Sequence, residues 1–245
     1  MPEFKSYGKT DVGLVRKNNE DAFVAAPDLG LWVVSDGMGG EESGETASRI
    51  MVETSVEVFS ESGGSADEEG RRERIQRVFA AANERILAWA EKNDVKRMGC
   101  TGEVLACVID GSYILGHVGD SRTYRFRDGR LKQLTVDHSL VQKQIEEGLI
   151  TAEEARRSPL RNVILRAVGV ERNLAVDLLR GKANPGDIFL LCSDGLTGMV
   201  SDPAIEEILA RPWDLARKTD ELIEKAKAAG GLDNITVVLC EIQGL

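Results

Sequence analysis

The chain has only two histidines, His117 and His138, in 245 residues. Its four cysteines, Cys100, Cys107, Cys192 and Cys240, form no CxxC pair. Zinc prefers imidazole and thiolate ligands, so this scarcity argues against a zinc centre. Cys107, Cys192 and Cys240 lie inside apolar runs, where buried free thiols are expected. Cations are also short: 31 Lys and Arg face 41 Asp and Glu, a formal net charge of -10. Nucleic acids and anionic membranes need the opposite excess. No apolar run approaches the ~20 residues that span a bilayer. The start, Met1-Pro2-Glu3-Phe4-Lys5-Ser6, lacks the apolar core of a signal peptide. A cytoplasmic protein is expected, with neither nucleic acid nor membrane as partner.

With 42% hydrophobic and 29% charged residues, the composition suits a folded globular protein. No linker and no internal sequence repeat interrupts it, so residues 1-245 are read as one domain, and a monomer is the default. The stretch Leu31-Trp32-Val33-Val34-Ser35-Asp36-Gly37-Met38-Gly39-Gly40 organises the rest. It reads as a buried strand running into a carboxylate and a Gly-rich turn. Three other apolar runs meet an aspartate in the same way: at Asp120, at Asp194 and, just before the run, at Asp233.

Around these points the periodicity alternates. Strands are expected at Thr10 to Gly13, Ala22 to Ala25, Glu103 to Ile109, Ser112 to Val118, Arg122 to Arg127 and Arg130 to Leu134. Others are expected at Leu174 to Leu179, Asp187 to Ser193 and Ile235 to Ile242. Asp110-Gly111 and Asp128-Gly129 signal tight hairpins, hence antiparallel pairing. Helical spacing is seen from Ala47 to Val58, from Ile75 to Ala90, at Pro203 to Leu209 and from Trp213 to Ala229. A loop is expected over Glu61 to Gly70 and a polar helical stretch over Ser139 to Arg157. This predicts an α+β fold with antiparallel sheets and helices packed outside.

Carboxylate and carbonyl oxygens suit Mg²⁺, Mn²⁺ or Ca²⁺. Asp36, Asp120, Asp194, Asp233 and Glu20 could supply carboxylates, and Gly37 a backbone carbonyl. Two ions close together can lower the pKa of a bridging water and neutralise a phosphoryl group under attack. Arg16, four residues before Glu20, could fork onto phosphate oxygens. Singly, each aspartate is more often a turn or capping residue; the combination carries the reading.

The motifs resemble those of the metal-dependent serine/threonine protein phosphatases, the PPM or type 2C group, and most closely its bacterial members. Thr10-Asp11-Val12-Gly13 with Arg16-Lys17-Asn18-Asn19-Glu20-Asp21 is similar to the opening motif. Val34-Ser35-Asp36-Gly37-Met38-Gly39-Gly40 resembles the first metal motif, and His117-Val118-Gly119-Asp120-Ser121-Arg122 a central one. Cys192-Ser193-Asp194-Gly195 and Gly231-Leu232-Asp233-Asn234-Ile235 resemble the last two metal motifs. The likeness runs from about Thr10 to Ile242.

The resemblance implies an α-β-β-α sandwich of two antiparallel sheets flanked by helices. It implies two tightly bound Mn²⁺ or Mg²⁺ ions bridged by Asp36. Asp194 and Asp233 would complete one ion's shell, and Glu20 and the Gly37 carbonyl would serve the other. Asp120, with Asp194, would hold a weaker third ion. Arg16 would bind the phosphate, and Asp21 would orient waters or Arg16. A flap beside the site is expected at about 139-165. The implied activity is hydrolysis of phosphoserine and phosphothreonine by a metal-bridging water, on phosphoproteins that include a cognate Ser/Thr kinase or its targets. The alternative is a pseudophosphatase, a phosphoprotein-binding module without turnover. Three departures stand out: Glu41 replaces the usual His, Gly99-Cys100-Thr101-Gly102 the usual Gly-Thr-Thr, and Ser158-Pro159 the usual His-Pro.

Overall fold

The computed structural model describes residues 3-39, 43-61, 67-108 and 110-244. Glu41, one of the three departures, therefore lies outside the described residues, as do 62-66 of the expected loop and Ile109. In chain order the elements are β1 (Glu3–Asp11), β2 (Asp21–Ala26), β3 (Leu31–Met38), α1 (Ser43–Ser60) and α2 (Glu68–Lys92). Then come β4 (Gly99–Cys100), β5 (Gly102–Cys107), β6 (Ser112–Val118), β7 (Arg122–Arg127), β8 (Arg130–Gln133), α3 (Leu140–Glu146) and α4 (Ala152–Arg157). The chain continues through β9 (Asp177–Lys182), β10 (Ile188–Cys192), α5 (Asp194–Thr197), α6 (Asp202–Ala210), α7 (Leu215–Ala228) and β11 (Ile235–Gly244).

Two antiparallel sheets result. One runs β1-β11-β10-β7-β8, the other β2-β3-β5-β6-β9, with β4 paired to β3. Side chains alternate across a strand, so β3 feeds two layers. Leu31 and Val33 pack on α1 and α2, beside Met51, Ile75 and Phe79. Trp32 and Val34 point the other way, against Phe189, Leu191 and Val238 of the second sheet. The outer face of that sheet packs Leu190, Val237 and Leu239 against Leu209, Leu222 and Ile223 of α6 and α7. The four layers are α-β-β-α, as expected. Both faces of each sheet are covered, which is why the central strands read as unbroken apolar runs although they are antiparallel. Each large side chain removed from water in this way contributes about 1.5–3 kcal/mol.

The sequence pattern and the structure part company at the sheet edges. The first strand is Glu3–Asp11, not Thr10 to Gly13; as the edge partner of β11 it alternates exposed and half-buried residues, and Lys5, Lys9 and Ser6 hide it. β9 begins three residues later than expected and is the opposite edge of the other sheet, again only half buried. The polar stretch after Ser139 is two short helices, split by a turn at Gly148, where φ is +70°. All four cysteines are free and buried. Among the described residues no helix is long and apolar enough to cross a membrane.

Candidate metal and phosphate site

The sheet ends bring the singled-out residues together. Arg16, Glu20, Asp36, Gly37, Asp120, Asp194 and Asp233 line one cavity of about 610 Å³. They arrive from five places: the β1–β2 loop, the end of β3, the β6–β7 turn, the first residue of α5 and the residues before β11. Asp36 thus stands within its strand, and Asp194 opens a helix rather than closing a strand.

Close backbone approach makes this convergence possible. A Cβ on Gly37 would lie 2.1 Å from the Gly44 carbonyl oxygen and 2.6 Å from that of Glu20. A Cβ on Gly195 would lie 1.9 Å from the Asn234 carbonyl oxygen. Any side chain at either position would push two ligand-bearing segments apart.

Asn234 ties the segments together. Its Oδ1 accepts from the Glu20 amide at 2.8 Å, and its Nδ2 donates to the carbonyls of Val12 and Asn18 at 3.0 and 2.9 Å. Thr101 holds the other side. Its Oγ1 accepts from the Asp36 amide at 2.9 Å, and its own amide donates to the Asp36 carbonyl at 2.8 Å. His138 braces the Asp120 turn: its amide donates to the Gly119 carbonyl at 2.7 Å, and its Nδ1 accepts from the Gly119 amide at 3.1 Å. Nothing in the sequence pattern alone assigns Asn234, Thr101 or His138 these contacts. Asn234 sits inside a quoted motif, and a buried amide beside a candidate ligand is the signal that could have found it.

The departure at Cys100 is accommodated locally. Its Sγ donates to the Ala47 carbonyl at 3.5 Å, and its backbone pairs with Val168. Ser158 caps the end of α4, well outside the cavity lining.

Electrostatically the cavity is strained. Burial pushes Asp36 well above the ordinary carboxylate range, and the charges of Asp21, Asp194, Asp120 and Asp233 push it further. Asp36 keeps part of its surface open to the cavity, which tempers that push without reversing it. Asp120 is raised by burial and by Asp194. Asp194 is raised to about 6 by burial and then by Asp233, with a hydrogen bond to Asp36 pulling the other way. Glu20 is raised by burial, against the pull of Arg16. Asp21 is raised to about 7, chiefly by burial.

Among the described residues no hydrogen bond joins Asp21 to Arg16. Asp21 Oδ2 accepts from Ser193 Oγ at 2.7 Å and Thr236 Oγ1 at 2.6 Å, while its buried Oδ1 has no partner among the described residues. Arg16 instead donates to Asp233 Oδ2 at 2.7 Å. Among the described residues no three His, Cys, Asp or Glu side chains form a ready-made metal cage. The carboxylates line the cavity wall, with one of them engaged by Arg16. The donor set still fits a hard divalent cation: it is all oxygen, mutually repelling, and has an orphaned carboxylate oxygen behind it.

A two-sheet sandwich with such an acidic cavity at one end, and a guanidinium on its rim, has the architecture of a metal-dependent phosphoprotein phosphatase. Comparison with known proteins agrees. The protein phosphatase 2C family model matches residues 15–229. A serine/threonine phosphatase, stp, of Listeria monocytogenes is 38% identical over 237 residues, covering 95% of this chain and 94% of that one. The crystal structure of the Mycobacterium tuberculosis serine/threonine phosphatase PstP/Ppp superposes with a TM-score of 0.89 at 36% identity, over 100% of both chains. A structure of the PstP catalytic domain in complex with two manganese ions gives the same TM-score, identity and coverage. The chain belongs to the protein phosphatase 2C family.

Proposed function

We propose that the chain removes phosphate from phosphoserine and phosphothreonine at the acidic end of the sandwich. One observation carries this: seven residues scattered from Arg16 to Asp233 line a single cavity in which negative charge is left uncompensated. Bound Mn²⁺ or Mg²⁺ would supply an activated water and neutralise charge on the phosphoryl group. Asp36, at the centre of the carboxylates, is the residue to bridge two ions. Asp194 and Asp233 would serve one of them, and Glu20 with the Gly37 carbonyl the other. Asp120, beside Asp194, would help hold a third, weaker ion. Arg16 is exposed and reaches the cavity rim, where its guanidinium can exchange Asp233 for phosphate oxygens. Asp21 would act indirectly, fixing Ser193 and Thr236 behind the ligands.

The segment from Ser139 to Leu165 is read as the flap. Asn162 and Ile164 line the cavity, and the backbone of Ser139 bridges that of Ile164. The family likeness further suggests a monomer acting in the cytoplasm on phosphoproteins, among them a cognate Ser/Thr kinase or its targets. A binding module without turnover would be expected to lack part of the acidic set, and every position is filled.

The test is phosphate release from a phosphothreonine peptide with Mn²⁺ and after chelation. Release that needs Mn²⁺ supports the reading. Tight peptide binding without release would favour the binding module.

A further inference from the structure

The acidic cavity continues beyond the carboxylates. Met38, Gly39 and Ile164 line it and also line a second cavity of about 690 Å³. That cavity runs between the turn before β4, at Val95, Lys96 and Arg97, and the segment carrying Leu165 and Val170. It meets a third cavity, of about 1150 Å³, through Leu87, Asn173, Leu174 and Ala175, along the flank of α2. Together they make one trough that begins at the candidate phosphate site.

Two features of the middle section point to its occupant. The first is charge. Among the described residues Lys96, Arg97 and Arg166 line it, against the single carboxylate of Glu171, in a chain whose net charge is -10. Arg166 is held by Asp177 at 2.7 Å, whereas Lys96 and Arg97 are exposed and make no ion pair among the described residues. The second is apolar surface. Leu165 and Val170 are 51% and 55% exposed on the same wall. This wall is fixed before anything binds. Val168 pairs with Cys100, Asn83 Oδ1 accepts from the Gly169 amide at 2.7 Å, and Asn83 Nδ2 donates to the Glu171 carbonyl at 2.9 Å. A preformed groove loses less entropy on binding.

We propose that this trough docks the polypeptide on one side of the phosphorylated residue. It selects an acidic side chain opposite Lys96 and Arg97 and an apolar one against Leu165 and Val170. An extended segment presents alternate side chains to opposite walls, which suits a groove with a cationic wall and an apolar one. The proposal rests on the phosphatase reading, because it takes the acidic cavity as the place where phosphate sits.

The test uses the whole chain with Mn²⁺ and two phosphothreonine peptides of equal length. One carries Asp, Glu and Leu beside the phosphothreonine, the other Gly and Ser. Turnover of both, and of p-nitrophenyl phosphate, is measured alongside binding of labelled peptides by fluorescence anisotropy. The parent should favour the acidic–apolar peptide about tenfold in KM. The Lys96→Glu/Arg97→Glu double variant should erase that preference while leaving p-nitrophenyl phosphate turnover unchanged. Val170→Ser should weaken the acidic–apolar peptide alone. Equal KM for the two peptides in the parent overturns the groove, as do equal losses on peptides and aryl phosphate in the double variant. If nothing is turned over, the phosphatase reading fails and anisotropy still decides: selective binding lost on charge reversal supports the groove, and unselective binding overturns it.

Discussion

Glu103 and Asp21 are both buried carboxylates, and the chain treats them differently. Glu103 lies between the sheets with each oxygen satisfied from within: His117 Nδ1 meets one, and Thr123 Oγ1 donates to the other. His117 in turn donates through Nε2 to the Val136 carbonyl at 2.9 Å. Asp21 has two hydroxyl donors on one oxygen, none on the other, and like charges from Asp36, Asp194 and Asp233 around it. A buried ion is tolerated where a counter-charge sits beside it, and is costly elsewhere. The first cluster is complete as a piece of structure. The second calls for a cation from outside. Counting buried acids would not separate the two; asking what neutralises each one does.

The largest effect should come from removing one charge at the centre of the uncompensated cluster. Asp36→Asn should lower turnover by about 10³-fold. Because it also relieves repulsion, the variant should melt no lower than the parent when both are stripped of metal. A folded variant with parental activity at saturating Mn²⁺ would end the assignment of Asp36 as the bridging ligand.

The matching cut in the compensated cluster should act on stability instead. Glu103→Gln leaves His117 buried without its counter-charge and should cost about 3 kcal/mol, read from urea unfolding. Its pH dependence gives a sharper comparison. In the parent, burial lowers the His117 pKa, but Glu103 more than offsets this, and the folded value lies above the ordinary 6.5. The folded state then binds more protons than the unfolded one, so this stability is present below about pH 6.5 and lost as pH rises through the folded value. In Glu103→Gln burial is opposed only by the hydrogen bond to the Val136 carbonyl and by the charge of Asp137, so the folded value drops and this loss of stability with rising pH shrinks. The stability gap between the two proteins should narrow from pH 6 to pH 8. A constant gap would mean that the pair is not ionised.

Arg16→Ala should have the smallest of the three effects. A hydrogen bond to a charged group is worth about 1.5–3 kcal/mol, so kcat/KM should fall about ten- to a hundredfold, with Lys restoring part. Parental kinetics on every substrate would return Arg16 to a surface charge.

Much of the fold was legible because the central strands carry apolar runs on both faces and the hairpins carry Asp-Gly turns. The misses fall on edge strands, on the first turn of α2, where Glu68 to Gly70 is helix rather than the expected loop, and on the short β4 and α5. β1 alternates Phe4 and Ser6 with the exposed Lys5 and Tyr7, and β9 tucks in only the side chains of Leu178 and Leu179, one on each face, between Asp177 and Arg180, so neither carries the apolar run of a central strand. At the site, the carboxylates were legible as a set, since an acid at the end of an apolar strand is costly wherever it occurs. Partners that depend on tertiary register were not. Nothing local in Asn234 shows that it reaches back to Val12 and Asn18, and nothing in Asp21 shows that it faces Ser193 rather than Arg16.

The place of β11 gives the protein a schedule. β11, which follows every other strand in the chain, is inserted between β1 and β10, pairing Asp11 with Ile235 and Cys192 with Val237. A chain synthesised only as far as Ala229 therefore has a first strand without its β-partner and an acidic cavity without Asp233 and the Asn234 tie. Closing so long a loop is slow relative to local pairing. The helical layer over Val33 can form early, whereas the acidic cavity is complete only after β11 arrives. Until then the order in which the residues emerge leaves the cavity without one of its five carboxylates.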